Sequence, residues 1–237
     1  MRDVALAYVN PTFQNPTGRC HTLAERQALA RACQTHGRVL FEDDPYRELV
    51  YDPCERTPVC AGMRDGLWIY QGSFSKSLAP GLRLGFIAAC AELMPPLTRL
   101  KQAADLHSNR FSQWLVLDQL NRADREARLL ALQARYRIRR DQFEARLHER
   151  LGSLASWERP PGGLFFWLKL KRPIDTRTLL SASIAQNVAF MPGESFYADP
   201  QQGVGTLRLN FSHASPDEAD RGLAKLAILL SRAGDFQ

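Results

Sequence analysis

Lys76 lies in the stretch SFSKSLAPGLRLGF, residues 73 to 86, among small hydroxyl residues. A proline–glycine turn follows it, and Arg83 comes seven residues on. A lysine amine condenses with an aldehyde to give an imine, while Ser73, Ser75 and Arg83 are suited to holding a phosphate ester nearby. An aldehyde that also carries a phosphate describes pyridoxal phosphate, whose Schiff base with lysine is a recurrent cofactor-binding mode. The plainer reading is a surface lysine in a serine-rich loop. The motif suggests the chemistry without deciding it.

Three further segments carry more weight. NPTG, Asn15 to Gly18, follows the apolar run VALAYV, which reads as a short buried strand. In RVLFEDDPY the strand-like Val39 to Phe41 run into Glu42, Asp43 and Asp44, then Tyr46. GTLRLNFS is an alternating strand near the C-terminus that carries Arg208. Taken in order with the lysine segment, these motifs resemble the fold-type I pyridoxal-phosphate aminotransferases of class I and II. The similarity is strongest to the branch that holds 2-aminoadipate and kynurenine aminotransferases and the aminotransferase-like half of MocR-type regulators. EDDPYRELVYD and GSFSKSLAPGLRLGF carry that narrower likeness, and the resemblance runs from about Tyr8 to Leu230.

The resemblance implies a role for each residue. Lys76 matches the imine lysine, which becomes the general base once the substrate amine displaces it. Asp43 matches the carboxylate that keeps the pyridine nitrogen of the cofactor protonated, so that the ring accepts electrons. Tyr46 and Asn15 match positions that hydrogen-bond the phenolic oxygen of the ring. Ser73, Ser75 and Arg83 match phosphate contacts, and Arg208, with Asn15, matches the clamp on the substrate α-carboxylate. The implied catalytic set is thus Lys76, Asp43 and Tyr46. The residues alone also allow plainer readings. Asp43 and Asp44 can form a polar turn before Pro45. Asn15 can be a turn residue, Tyr46 a packing tyrosine and Arg208 an exposed strand arginine. Asp43 is taken over Asp44 because the resemblance sets the carboxylate three residues before the tyrosine.

Composition fits a globular enzyme, with 45% hydrophobic and 24% charged residues in 237. No apolar run approaches about 18 residues, so no membrane-spanning helix is expected. MRDVALAYVNPTF lacks the order of a signal peptide. The five cysteines form no CxxC pair and read as reduced thiols in the cytoplasm. Cys33 and His36 have helical spacing, but two ligands do not make a metal site. The net charge of +6 could hint at nucleic acid. Most of the excess lies between Arg122 and Arg150, where arginines alternate with Asp124, Glu126, Asp141, Glu144 and Glu149. Leu129, Leu132, Tyr136, Phe143 and Leu147 recur there at helical spacing. That pattern predicts a long amphipathic helix with a mixed-charge face, not a nucleic-acid stripe.

The elements that must position these residues follow from local signals. Residues 4–9 read as a strand. Thr22 with Glu25 makes a capping box that opens a helix running to about His36 and stopping at Gly37. Strands are expected near 38–42, 67–71 and 83–89, and the chain reads as helical from Pro95 to about Arg150. PPGGLFFWLKL, VAFMPGESF and TLRLNFS form a strand-rich unit closed by a helix from about Pro216. Strand–helix–strand order predicts an α/β fold with a largely parallel sheet and chemistry at the carboxyl ends of the strands. In the terms of the resemblance, residues 1–122 are the remaining part of a cofactor-binding large domain, and 123–237 a linking helix with a small α+β domain. The resemblance covers only the C-terminal part of the family fold, so an exposed sheet, self-association and little activity are expected of the chain alone. The expected protein is an aminotransferase, using pyridoxal 5'-phosphate to pass an amino group between an amino acid and a 2-oxo acid. Complete, it would be a homodimer with no metal, membrane or nucleic-acid partner. The alternatives are the effector-sensing part of a MocR-type regulator and an inactive remnant.

Overall fold

The computed structural model describes residues 4–232. Packing divides the chain into two compact units, one comprising the chain up to Gln14 with Arg19–Gln133, the other Asn15–Gly18 with the chain from Ala134.

In the first unit, β1 (Leu6–Val9), β2 (Val39–Asp43), β3 (Trp68–Ser73) and β4 (Gly85–Ala89) form one sheet in that spatial order. The β1–β2 and β2–β3 pairs are parallel and β3–β4 is antiparallel. The sheet is therefore mixed and largely parallel, as the element order implied. Helix α1 (Leu23–Thr35) makes the β1–β2 crossover. Its capping box is present: the Thr22 hydroxyl accepts from Glu25 N at 3.3 Å, and Glu25 accepts from Thr22 N at 2.9 Å. Just past its end, Gly37 takes a left-handed φ of 59°, which a glycine adopts without steric cost. Ala30 and Cys33 of α1 pack with Leu40, Val59 and Met63 into the core of the unit.

The expected continuous helical region is three helices. These are α2 (Met94–Asp105), α3 (Arg110–Asn121) and α4 (Arg125–Leu151). Pro95 and Pro96 sit in the first turn of α2, where a missing N–H is tolerated. Asn109 caps α3 by accepting from Ser112 N at 3.0 Å, which fixes the break before it. Helix α4 is the predicted amphipathic segment, burying Phe143, Leu147 and Leu151.

The second unit holds β5 (Ala155–Trp157), β6 (Phe165–Leu170), β7 (Met191–Pro192) and β8 (Thr206–Asn210). Their spatial order is β5-β6-β8-β7, with every pair antiparallel. Helices α5 (Thr176–Ala185) and α6 (Pro216–Arg232) accompany the sheet. Phe143 of α4 stacks on Phe166 of β6, and Phe211 meets Phe166 edge-on at 5.6 Å. The short strand β5 and the helix α5 lie outside the sequence reading.

Candidate functional site

Strand alternation separates the three acids of EDD. Along β2 the buried positions are Leu40 and Glu42, while Val39, Phe41 and Asp43 are half-buried. Successive side chains of a strand point to opposite faces. Glu42 turns into the core, where it accepts from Val59 N at 3.0 Å and Cys60 N at 2.9 Å, and burial raises its pKa. Asp44 lies on the same side. It is 3% exposed, pairs with Arg47 at 3.3 Å and accepts from the Tyr70 hydroxyl at 3.2 Å. Burial raises its pKa, against the opposing pull of Arg47. Asp43 takes the other face. Its carboxylate accepts from the Tyr8 hydroxyl and from Gln71 Nε2 at 3.1 Å, both uncharged donors. The Tyr8 hydroxyl has its pKa raised, by burial first and by the Asp43 carboxylate second. Tyr8 also stacks on Phe41 with ring centroids 5.8 Å apart. Of the adjacent acids, Asp43 is the one aimed away from the packed core.

Strand β3 ends at Ser73, and the following turn closes with Leu78 N donating to Phe74 O at 3.0 Å. Ser75 N donates to Ser73 Oγ at 3.2 Å, and Lys76 is half-buried at the middle of this turn. A 3-10 turn over Pro80–Leu82 then leads to Arg83, which holds a left-handed φ of 49° on the exposed surface. Ser73, Ser75, Arg83 and Gln71 line one cleft of about 520 Å³, together with Lys101 of α2. Gln71 touches both the cleft and the Asp43 carboxylate, so it joins the two sets. Among the described residues, the lining includes neither Lys76 nor Tyr46. Tyr46 is buried in the turn after β2.

In the second unit, Arg208 of β8 donates through Nη1 to Asn15 Oδ1 at 2.6 Å. Its guanidinium lies 4.2 Å from the centroid of the Phe165 ring and 5.3 Å from that of Phe196. Aromatic faces on two sides fix the plane of the fork. Asn15 is held by the turn that ends at Gly18, whose φ is +69°. A Cβ on Gly18 would meet Pro160 Cβ at 2.8 Å and the Phe165 carbonyl at 3.1 Å. Glycine is needed there both for its φ and for the close approach. The NPTG motif is therefore a docking device for Asn15 as well as a turn.

The sequence reading missed Tyr8, Gln71 and Lys101. Parallel register supplies the signal for two of them: Asp43 pairs with Gln71, and Tyr8 pairs with Phe41. Paired residues of adjacent strands share a face, so these side chains had to meet. Lys101 reaches the cleft from α2, while bonding Asp105 at 2.7 Å and Ser108 at 3.0 Å. No local pattern announces that approach. Among the described residues no group of three or more metal-binding side chains occurs, and no helix is long and apolar enough to cross a membrane.

The family model for aminotransferase class I and II matches residues 8–226. The chain belongs to that family. It is 34% identical over 229 residues to the 2-aminoadipate transaminase of Thermus thermophilus, covering 94% of this chain and 56% of that protein. It is 28% identical to the HTH-type transcriptional regulator YdfD of Bacillus subtilis, covering 97% of this chain and 47% of the regulator. Its fold superposes with a TM-score of 0.91 on the kynurenine aminotransferase of Pyrococcus horikoshii, solved with PMP, kynurenine and its product. That alignment has 33% identity and covers 97% of this chain and 57% of that one. The chain thus spans about half the length of the curated relatives it matches.

Proposed function

We propose that this chain serves a pyridoxal-phosphate-dependent aminotransferase, moving an amino group between an amino acid and a 2-oxo acid. The observation that carries the reading is the isolation of Asp43. Its two acidic neighbours are consumed in the core, whereas among the described residues its own carboxylate accepts from the uncharged donors Tyr8 and Gln71. Such a carboxylate suits a protonated ring nitrogen. The rest of the donor set also fits the cofactor. Two serine hydroxyls and an exposed guanidinium line the cleft beyond β3, and phosphate is bound by such groups. When bound, pyridoxal phosphate supplies an aldehyde that condenses with amines and a ring that accepts electrons from the α-carbon.

On this reading Asp43 would keep the ring nitrogen protonated, and Tyr46 and Asn15 would hydrogen-bond the phenolic oxygen of the bound cofactor. Ser73, Ser75 and Arg83 hold the phosphate. Lys76 would form the imine with the cofactor aldehyde and, once freed by the substrate amine, would serve as the general base for the substrate α-proton. Arg208, with its plane fixed by two aromatic rings, holds the substrate carboxylate alongside Asn15. Residues 1–122 form the cofactor-binding part and 123–237 the linking helix with the small domain. The protein on this reading is a cytoplasmic homodimer. A second reading, an effector-binding part of a MocR-type regulator, is supported by the similarity to YdfD over nearly the whole chain. It predicts the same ligand set without turnover.

The test is chemical. Pyridoxal phosphate added to the chain should produce visible absorbance, and borohydride should fix the label on Lys76. Labelling of Lys101 or Lys169 with Lys76 untouched would overturn the assignment. Conversion of an amino acid to its 2-oxo acid then separates the enzyme from the sensor.

A further inference from the structure

Arg26 of α1 is 2% exposed, yet among the described residues none of its hydrogen-bond partners is a carboxylate. It donates to the carbonyls of His21 at 2.9 Å, Thr57 at 3.0 Å, Pro11 at 2.9 Å and Glu55 at 3.0 Å, and to the Thr12 hydroxyl at 3.1 Å. A buried charge without a counter-charge is costly, and neutral acceptors compensate it only in part. One further partner can carry a negative charge. It is the Cys20 sulfur, 3.5 Å from Arg26 Nη2.

Cys20 is not alone there. Its thiol donates to the Glu55 carbonyl at 2.9 Å, in the residue next to Cys54, and Cys54 is near enough that each thiol shifts the other's pKa. Both cysteines are half-buried. We infer that Cys20 and Cys54 form a peroxide-responsive thiol pair, in which Cys20 is the attacking thiolate, Arg26 its counter-ion and Cys54 the resolving thiol. This inference stands independently of the aminotransferase reading.

The pKa values of the pair diverge in the direction this requires. The neighbouring Cys54 thiol, aided by the Arg26 charge, lowers Cys20 to about 7 against the opposing effect of burial. Cys54 is raised, first by the neighbouring Cys20 and then by burial, with Arg56 and Arg26 opposing. The Glu55 carboxylate accepts from Thr57 N at 2.6 Å and is held below its ordinary pKa first by that residue, with a smaller contribution from the Arg26 charge. A thiolate near neutral pH combines a useful ionised fraction with good nucleophilicity.

The chemistry balances with one peroxide. The Cys20 thiolate attacks hydrogen peroxide: the O–O bond breaks, an S–O bond forms, and the departing hydroxide takes a proton to become water. The Cys54 sulfur then attacks the Cys20 sulfenic acid. The S–O bond breaks, the S–S bond forms, and the Cys54 proton leaves with the hydroxyl as a second water. Two thiols are oxidised by two electrons and peroxide is reduced to water. The bridge would tie the loop ahead of α1, five residues beyond Asn15, to the segment carrying Glu55 and Thr57.

The test uses the reduced wild-type chain, treated with stoichiometric hydrogen peroxide, blocked with iodoacetamide and digested without reductant. A single linked peptide pair, Cys20 to Cys54, is expected, reversible by dithiothreitol, with Cys33, Cys60 and Cys90 recovered alkylated. The same treatment in guanidinium should give mixed linkages. Identical mixtures in both conditions, or accumulation of Cys20 sulfinic acid without linkage, would overturn the pair. Alkylation of Cys20 against pH should show a midpoint near 7, and a midpoint at the ordinary thiol value would remove Arg26 from the scheme. In Cys54→Ser, dimedone should trap Cys20 as its sulfenic acid. In Cys20→Ser, oxidation of Cys54 should slow at least tenfold, and an unchanged rate would contradict the assignment of Cys20 as attacker.

Discussion

At Asp43 the decisive physics is one of direction. Asp43 and Asp44 have the same chemistry and adjacent positions, but a strand sends them to opposite faces. Asp44 pairs with Arg47 and Tyr70 in the core, while Asp43 is offered to the other side with Tyr8 and Gln71. Asp43→Asn should therefore retain pyridoxal phosphate but slow its reaction with an amino acid by about two orders of magnitude. That matches about 3 kcal/mol of electrostatic stabilisation. Asp44→Asn should instead cost about 1–3 kcal/mol of folding stability, because it weakens a buried, charge-assisted bond. Single-turnover rates and denaturant melts on the two variants separate these outcomes, and the reverse pattern would exchange their roles. Arg208 makes a parallel case. Its fork is held between Phe165 and Phe196 and already bonds Asn15, so Arg208→Lys keeps the charge and loses the geometry. Binding of amino acids and 2-oxo acids should weaken together, with amines lacking a carboxylate little affected. Equal losses for all three would mark a structural arginine.

Gly18 shows how an element can hide a functional contact. Its φ of +69° and the nearness of Pro160 and Phe165 leave no room for a side chain. Gly18→Ala should lower stability by about 1–3 kcal/mol and loosen Asn15, which a thermal melt and weaker carboxylate binding would register together. A variant with unchanged melting would remove the packing role. The turn itself was legible from NPTG, as were the α1 capping box, the strands β1 to β4, the amphipathic α4 and the final helix. Each rests on a local pattern. Strand β1, however, read as buried, has Leu6 and Tyr8 exposed because it is an open edge of the sheet among the described residues. What could not be read is non-local. The break between α2 and α3 rests on an Asn109 cap inside an apolar run. Lys101 enters the cleft from a helix whose sequence gives no sign of a neighbour, and Arg26 finds its acceptors in segments as distant as Thr57. The separation of Asp43 from Asp44 lies between these cases. Alternation along VLFED contains it, but only once the buried face is known.

On the scale of the whole molecule, the first unit carries more apolar surface than its core accounts for. Strand β4 pairs only with β3, and β1 only with β2, so each has an open edge among the described residues. Phe86 and Ile87 of β4 are about half exposed, at 46% and 47%. Leu100, Leu106, Phe111, Trp114 and Leu117, around α2 and α3, are exposed beyond that. Open strand edges next to apolar faces are templates for pairing with another chain. The 237-residue chain should therefore self-associate at micromolar concentration, with a mass by light scattering that rises with concentration. A lysine at an exposed position of β4, Ile87→Lys, should reduce that association, because an edge charge must be desolvated on pairing. It should lower the thermal midpoint only modestly, since about half of Ile87 is already exposed. The same should hold for Trp114→Lys on α3 if its face contributes. A wild-type chain that stays monomeric at high concentration would show that these edges and faces do not pair. A charge at Ile87 that lowers the melting point without changing the mass would show that β4 is packed more tightly than its exposure implies.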